Sequence, residues 1–255
     1  MHGKFFWYDL MTTDLAAAQK FYGAVVGWGT QDSGVSGAGY TLFTVDGAGG
    51  LGLMALPKEM SDAGARPCWM GYVAVDDVDA AAARIEKLGG KMMRPPVEVK
   101  DVIRFCPVAD PQGAGFMIAR GLSHDAMPEL PQGKPGTVGW HELYAKDAAA
   151  AFGFYAEAFG WTKGEAMDMG PGGTYQLFKT GGPDAVGGIM NKMPAMPAPY
   201  WSYYFNVEAI DAAAARVTGN GGKILNGPME VPGGGWIVQC MDPQGALFSL
   251  VAPKR

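Results

Sequence analysis

Asp79-Ala-Ala-Ala-Ala-Arg84, Gly89-Gly-Lys91 and Asp110-Pro-Gln-Gly-Ala114 return in the same order and spacing as Asp211-Ala-Ala-Ala-Ala-Arg216, Gly221-Gly-Lys223 and Asp242-Pro-Gln-Gly-Ala246. They belong to a gapless match of residues 69–119 on residues 201–251, with 21 of 51 positions identical. Working outward, Gly3, Trp7, Asp14, Phe21-Tyr22 and Gly27-Trp28 recur 133 residues on as Gly136, Trp140, Asp147, Phe154-Tyr155 and Gly160-Trp161. Self-similarity held over so long a stretch means one domain written twice. The segment 123–135 between the copies holds three prolines and two acidic residues. It reads as an extended linker between a domain at 1–122 and a domain at 136–255.

Inside each copy a second, weaker repetition concerns the order of elements. Residues 4–10 read as a strand. Thr13 or Asp14 then caps a helix whose apolar positions Leu15, Ala18, Tyr22 and Val25 follow a three-to-four spacing, and Gly27 stops it. Short strands follow at 40–45 and 51–56. The pattern restarts with a strand at 69–75 and an acidic cap at Asp76/Asp77. A helix carrying Val78, Ala81, Ile85 and Leu88 on one stripe comes next, then strands at 91–99, 103–108 and 115–119. That is a βαβββ unit, present four times in the chain. The glycine-rich runs 47–52 and 233–235 lack the strand-to-helix setting and the lysine of a phosphate loop, so they read as hairpin loops.

The bulk composition narrows the function. With 48% hydrophobic and 18% charged residues the chain is that of a folded globular protein. Its formal charge of -5 and the lack of any basic run exclude a general nucleic-acid binder. No stretch of about 18 apolar residues offers a membrane span. Three scattered cysteines form no CxxC pair, pointing to a reduced compartment and a cytoplasmic location. A homo-oligomer stays open.

Four βαβββ units in tandem, a first helix ending Phe-Tyr-x(4)-Gly-Trp and a last strand entered through Asp-Pro-x-Gly resemble the glyoxalase/bleomycin resistance/extradiol dioxygenase (vicinal oxygen chelate) superfamily. The resemblance covers nearly the whole chain and implies an α+β fold: two tandem domains, each of paired βαβββ units forming a curved sheet around a cavity. It also implies a divalent metal held there by His and Glu, in lyases and dioxygenases alike. The places of those ligands hold other residues. Seven positions before the capping aspartates stand Trp7 and Trp140; the strand opening the second unit has Met70 and Ser202; four residues after the glycine of Asp-Pro-x-Gly come Met117 and Ser249. No metal and no other cofactor is expected.

Strand alternation joins Phe5 and Asp9 to Trp7, Val138 and Glu142 to Trp140, Tyr72 to Met70 and Tyr204 to Ser202. Each cavity is then expected to present a tryptophan, a tyrosine and one carboxylate. Such a lining stacks on a flat or cationic ligand, and the carboxylate orients it or serves as a general base, for which Glu142 is the candidate. The plainer alternative makes the tryptophan a plug and the acid a solvated strand end. The second cavity (Trp140, Glu142, Ser202, Tyr204, Ser249) is the more polar one. The expected function is metal-free binding of a small organic molecule, against two alternatives: a metal-dependent glyoxalase-like lyase or dioxygenase, and a scaffold with one silent domain. His141 falls on the opposite face from Trp140 and reads as structural, His2 and His124 as solvated, and the two Asp-Pro-Gln-Gly runs as turns. Glu98 and Glu230 read as edge-strand charges. Arg104 and Trp236 differ at equivalent sites, as two pockets with different contents would.

Overall fold

The computed structural model describes residues 1–34, 39–122, 131 and 133–255. Most of the linker expected at 123–135, His124 included, lies outside the described residues.

The first half runs β1 (Phe5–Thr12), α1 (Leu15–Val26), β2 (Gly29–Asp32), β3 (Tyr40–Val45), β4 (Ala48–Ala55), a short α2 (Lys58–Asp62), β5 (Cys68–Ala74), α3 (Val78–Lys87), β6 (Lys91–Met92), β7 (Val97–Val99), β8 (Ile103–Ala109) and β9 (Gly115–Gly121). The second half repeats it as β10 (Val138–Ala145), α4 (Ala148–Phe159), β11 (Thr162–Asp168), β12 (Thr174–Lys179), β13 (Gly187–Asn191), β14 (Tyr200–Asn206), α5 (Ile210–Gly219), β15 (Lys223–Glu230), β16 (Trp236–Met241) and β17 (Leu247–Ala252). The strand orders are β2-β3-β4-β1-β5-β9-β8-β6, with β7 also on β8, and β11-β12-β13-β10-β14-β17-β16-β15. The pairs β1/β4, β5/β9, β10/β13 and β14/β17 are parallel, as helix crossovers require. The architecture is α+β, in two mixed sheets. Among the described residues no helix is long and apolar enough to cross a membrane, and the three thiols are free.

Local chemistry explains the helix ends. Asp14, Asp77 and Asp147 are extended residues whose carboxylates accept the N–H of Ala17 (3.0 Å), Ala80 (2.9 Å) and Ala150 (3.0 Å). Gly27 and Gly160 close α1 and α4 in the left-handed region that glycine adopts without strain. Two expectations need correction. The strand at 91–99 is broken into β6 and β7 across Arg94-Pro95-Pro96, because proline has no N–H to give to a ladder. The run 47–52 is not a loop: the chain turns at Asp46-Gly47, both at positive φ, and β4 begins at Ala48.

The chain divides into two compact units, and each draws on both halves of the sequence. One unit comprises Met1–Phe6, Met70–Ala126 and His141–Ser202; the other comprises Trp7–Trp69, Met127–Trp140 and Tyr203–Arg255. Each unit has a buried aromatic centre built on the tyrosine of a Phe-Tyr pair. In the second unit Tyr22 packs against Trp28, Phe43, Trp69 and Phe248 at ring separations of 5.3–5.8 Å. In the first unit Tyr155 packs against Trp161 (4.9 Å), Trp201 (5.3 Å) and Phe116 (5.6 Å). Edge-to-face and offset contacts of this kind exceed simple area burial by about 0.5–1.5 kcal/mol each.

Buried polar atoms in these centres find partners from the opposite half of the sequence. Trp69 Nε1 donates to the Tyr22 hydroxyl (2.9 Å), which donates to Asp242 Oδ2 (3.1 Å). Trp201 Nε1 donates to the Tyr155 hydroxyl (3.0 Å), which donates to Asp110 Oδ2 (3.2 Å). The other oxygen of each aspartate closes its own turn, accepting from Gln112 and Ala114 or from Gln244 and Ala246 at 2.8–2.9 Å. The Asp-Pro-Gln-Gly motif is therefore a turn and a core hydrogen-bond acceptor at once. Trp28 Nε1 reaches the carbonyl of Gly136 and Trp161 Nε1 that of Gly3. Arg216 forks onto the Val25 carbonyl near the end of α1, and Arg84 onto the Glu157 carbonyl near the end of α4.

Candidate functional site

The two carboxylates singled out from the sequence are both buried, and each accepts a hydrogen bond from a phenol. In the second unit Asp9, 3% exposed, accepts from Trp7 Nε1 (2.8 Å) and from the Tyr40 hydroxyl (2.7 Å) at one oxygen. Trp7 Nε1 also lies 2.9 Å from the Tyr40 hydroxyl, so the three side chains close a triangle. Burial, then the adjacent Asp9 charge, raises the Tyr40 phenol far above its ordinary pKa and keeps it a donor. Gly52, the register partner of Asp9 on β4, makes the triangle possible: a Cβ there would overlap Asp9 Oδ1 and the Tyr40 hydroxyl.

In the first unit Glu142, 6% exposed, accepts a hydrogen bond at Oε2 from the Tyr144 hydroxyl. The Tyr144 ring stacks on Tyr200 at 5.2 Å and 25°. Burial and, secondarily, the Glu142 charge push the Tyr200 phenol up to about 12. Gly188 is the register partner of Glu142, and the Tyr175 ring lies so close over it that a Cβ would overlap the ring. The design matches Asp9, Gly52 and Tyr40, with tyrosines added around the acid.

The remaining expected site residues fall as follows. In the first unit Met70 lies on β5, Tyr72 is in register with Met117, and Ser202 is buried on β14. Phe6 meets Tyr72 edge-on at 6.4 Å, and Phe105 lies 6.2 Å from the same ring. In the second unit Trp140 lies on β10, Tyr204 is in register with Ser249, and Gln239 Nε2 donates to the Tyr204 hydroxyl (3.1 Å). Phe5 stacks on His141 at 4.4 Å and 11° and edges onto Trp201 at 5.2 Å. His141, 8% exposed, gives Nδ1 to the Val186 carbonyl at 2.7 Å, a structural setting in which burial lowers its pKa to about 4. Glu98 pairs with Arg104 across β7 and β8, at 3.9 Å. Arg104 and Trp236 do not mark a difference between pockets. Arg104 is forked onto Asp79 (2.8 and 2.9 Å), whereas Trp236 lies under the guanidinium of Arg255, which pairs with Asp211.

Tyr40, Tyr144, Tyr175, Tyr200 and Gln239 were not singled out from the sequence. Alternation names two of them, since Tyr144 is two residues from Glu142 and Tyr200 two from Ser202. Tyr40 reaches Asp9 over Gly52, and Tyr175 lies over Gly188, the register partner of Glu142; both depend on a facing glycine on a neighbouring strand.

Two segments of this chain, residues 4–118 and 137–250, match the model of the Glyoxalase/Bleomycin resistance protein/Dioxygenase superfamily. The chain belongs to that superfamily. It is similar to CFP32 of Mycobacterium bovis, a glyoxylase by name, with 34% identity over 249 residues, 97% of this chain and 94% of that one. It is also similar to the anthracycline biosynthesis protein DnrV of Streptomyces peucetius, with 32% identity over 260 residues, 96% of this chain and 91% of that one. Among solved structures, the Mn(II)-bound glyoxalase from Novosphingobium aromaticivorans superposes with a TM-score of 0.68 at 16% identity, over 99% of this chain and 82% of that one. That likeness is one of fold. The resemblance implies, for the enzymes of the superfamily, a divalent ion held by His and Glu, and the places where those ligands are expected hold residues of other kinds. Tryptophan, methionine and serine stand at the ligand places, and among the described residues no group of three or more His, Cys, Asp or Glu is placed to hold a metal ion.

Proposed function

We propose that this superfamily member binds a small organic molecule at the carboxylate of its second half, and that it does so without the divalent ion of its relatives. The observation that carries the reading is the Glu142 carboxylate, buried on β10 and engaged by the Tyr144 phenol, with Tyr144 stacked on Tyr200. A buried acid among aromatic rings offers one directional polar anchor in an apolar setting, the usual make-up of a small-molecule site. The name of DnrV, which ties that relative to the making of anthracyclines, agrees with an organic ligand. The side chains at the ligand places supply no set of hard donors for a cation.

In this reading Glu142 orients the ligand through a charge-assisted hydrogen bond and Tyr144 fixes the carboxylate. Asp9, tied to both Trp7 and Tyr40 at one oxygen, serves the first half as a structural plug. Elemental analysis and native mass spectrometry of protein purified without chelator test the proposal. Substoichiometric Mn, Fe, Ni and Zn with a retained or added organic ligand is the expected result. One equivalent of such a metal per chain, removed by chelator with loss of ligand binding, overturns the metal-free reading in favour of a lyase or dioxygenase.

A further inference from the structure

Glu142 is hydrogen-bonded to one tyrosine and has two more in its neighbourhood. Its Oε2 accepts from Tyr144, Tyr144 stacks on Tyr200, and Tyr175 lies over Gly188, the residue facing Glu142 across the parallel pair β10/β13. Tyr144 in turn is the register partner of Met190 in the same ladder, which places a polarisable thioether on the neighbouring strand. Glu142, Tyr144 and Tyr175 are buried, while Tyr200 and Met190 are half-buried. Lys192, just beyond β13, gives its Nζ to the Met196 carbonyl at 2.7 Å.

We propose that Glu142, Tyr144, Tyr175 and Tyr200 form a recognition site for an organic ammonium group, a protonated amine or a quaternary nitrogen carried by the bound small molecule. A ring face presents negative quadrupole density to a cation, and a desolvated site strengthens that attraction. A carboxylate beside the rings adds charge of the same preference. Its field is felt at Tyr200, whose phenol is harder to ionise partly because Glu142 is negative. A neutral aromatic molecule would stack on the same rings but gain nothing from the charge. The proposal rests on the second half being a small-molecule site, and it adds the chemistry of the group that enters it.

The test uses the full-length protein, with choline and tetramethylammonium as cations and 3,3-dimethylbutan-1-ol as the uncharged isostere of choline. Binding is followed by calorimetry and intrinsic fluorescence at fixed ionic strength. Choline is expected to bind at least about tenfold more tightly than the alcohol, a difference of about 1.4 kcal/mol. In Glu142→Gln that ratio should fall to near one. In Tyr200→Leu, which leaves the carboxylate in place, choline should weaken by about tenfold, and circular dichroism checks that both variants are folded. Equal affinity for choline and the alcohol, or an undiminished ratio in Glu142→Gln, overturns the ammonium assignment, as does a folded protein that binds neither cation. If the alcohol binds and Tyr200→Leu abolishes it, the small-molecule reading survives while the ammonium assignment fails.

Discussion

The Tyr22 hydroxyl donates to the Asp242 carboxylate across 220 residues of sequence, and the same hydroxyl accepts from Trp69. The turn of one half is thereby joined to the first helix of the other, inside a buried aromatic centre. Tyr155 and Asp110 repeat the bond with the halves exchanged. Removing the hydroxyl leaves a buried indole N–H and a carboxylate oxygen without that partner, at a cost of about 1–3 kcal/mol. Tyr22→Phe should therefore lower the urea midpoint at unchanged m-value, with Tyr155→Phe close to it in size. A loss below about 0.5 kcal/mol in both would show that these bonds do not stabilise the aromatic centre of either unit.

Gly52 lies against the Trp7, Asp9 and Tyr40 triangle with no room for a methyl group. Gly52→Ala should cost about 1–3 kcal/mol, the usual scale of overpacking. It should also free Tyr40 from Asp9 and bring its phenol down towards the ordinary tyrosine range, which ultraviolet difference titration reads against a Tyr40→Phe background.

His141 is buried with its pKa lowered to about 4, so its contribution to stability is present above the ordinary histidine value of 6.5 and is lost as pH falls towards 4. Between those limits wild type should lose about 2–3 kcal/mol relative to His141→Gln, whose amide keeps a donor for Val186 but takes up no proton. Thermal unfolding at matched ionic strength from pH 7 to pH 4.5 measures the difference. Parallel curves for the two proteins would contradict the assignment.

Arg216 caps the α1 carbonyl of Val25 with two of its nitrogens, and Arg84 does the same for Glu157. Arg216→Met, which keeps most of the stem, should cost about 1 kcal/mol and raise hydrogen exchange in the last turn of α1 before other helices respond. Uniform exchange across the chain would argue against a local cap.

The repeat, the helix caps and the turns were legible because each is a short-range event: Asp14 needs only Ala17, and Asp110 only Gln112 and Ala114. The partner of Tyr22 was not legible. Asp110 and Asp242 sit in the same five-residue motif, so local sequence makes them equal candidates, and only the assembled chain distinguishes them. The site shows the same limit. Trp7 and Asp9 were placed together by alternation, but Tyr40 and Tyr175 arrive from other strands over glycines whose importance lies in what they lack.

Because every Trp–Tyr–Asp chain borrows its tyrosine from one copy and its aspartate from the other, the duplication is no spare. A lesion in either copy's motif damages a core that both copies share, so the intact copy has nothing with which to compensate. Duplication here has tied the scaffold of the two copies into one inheritance.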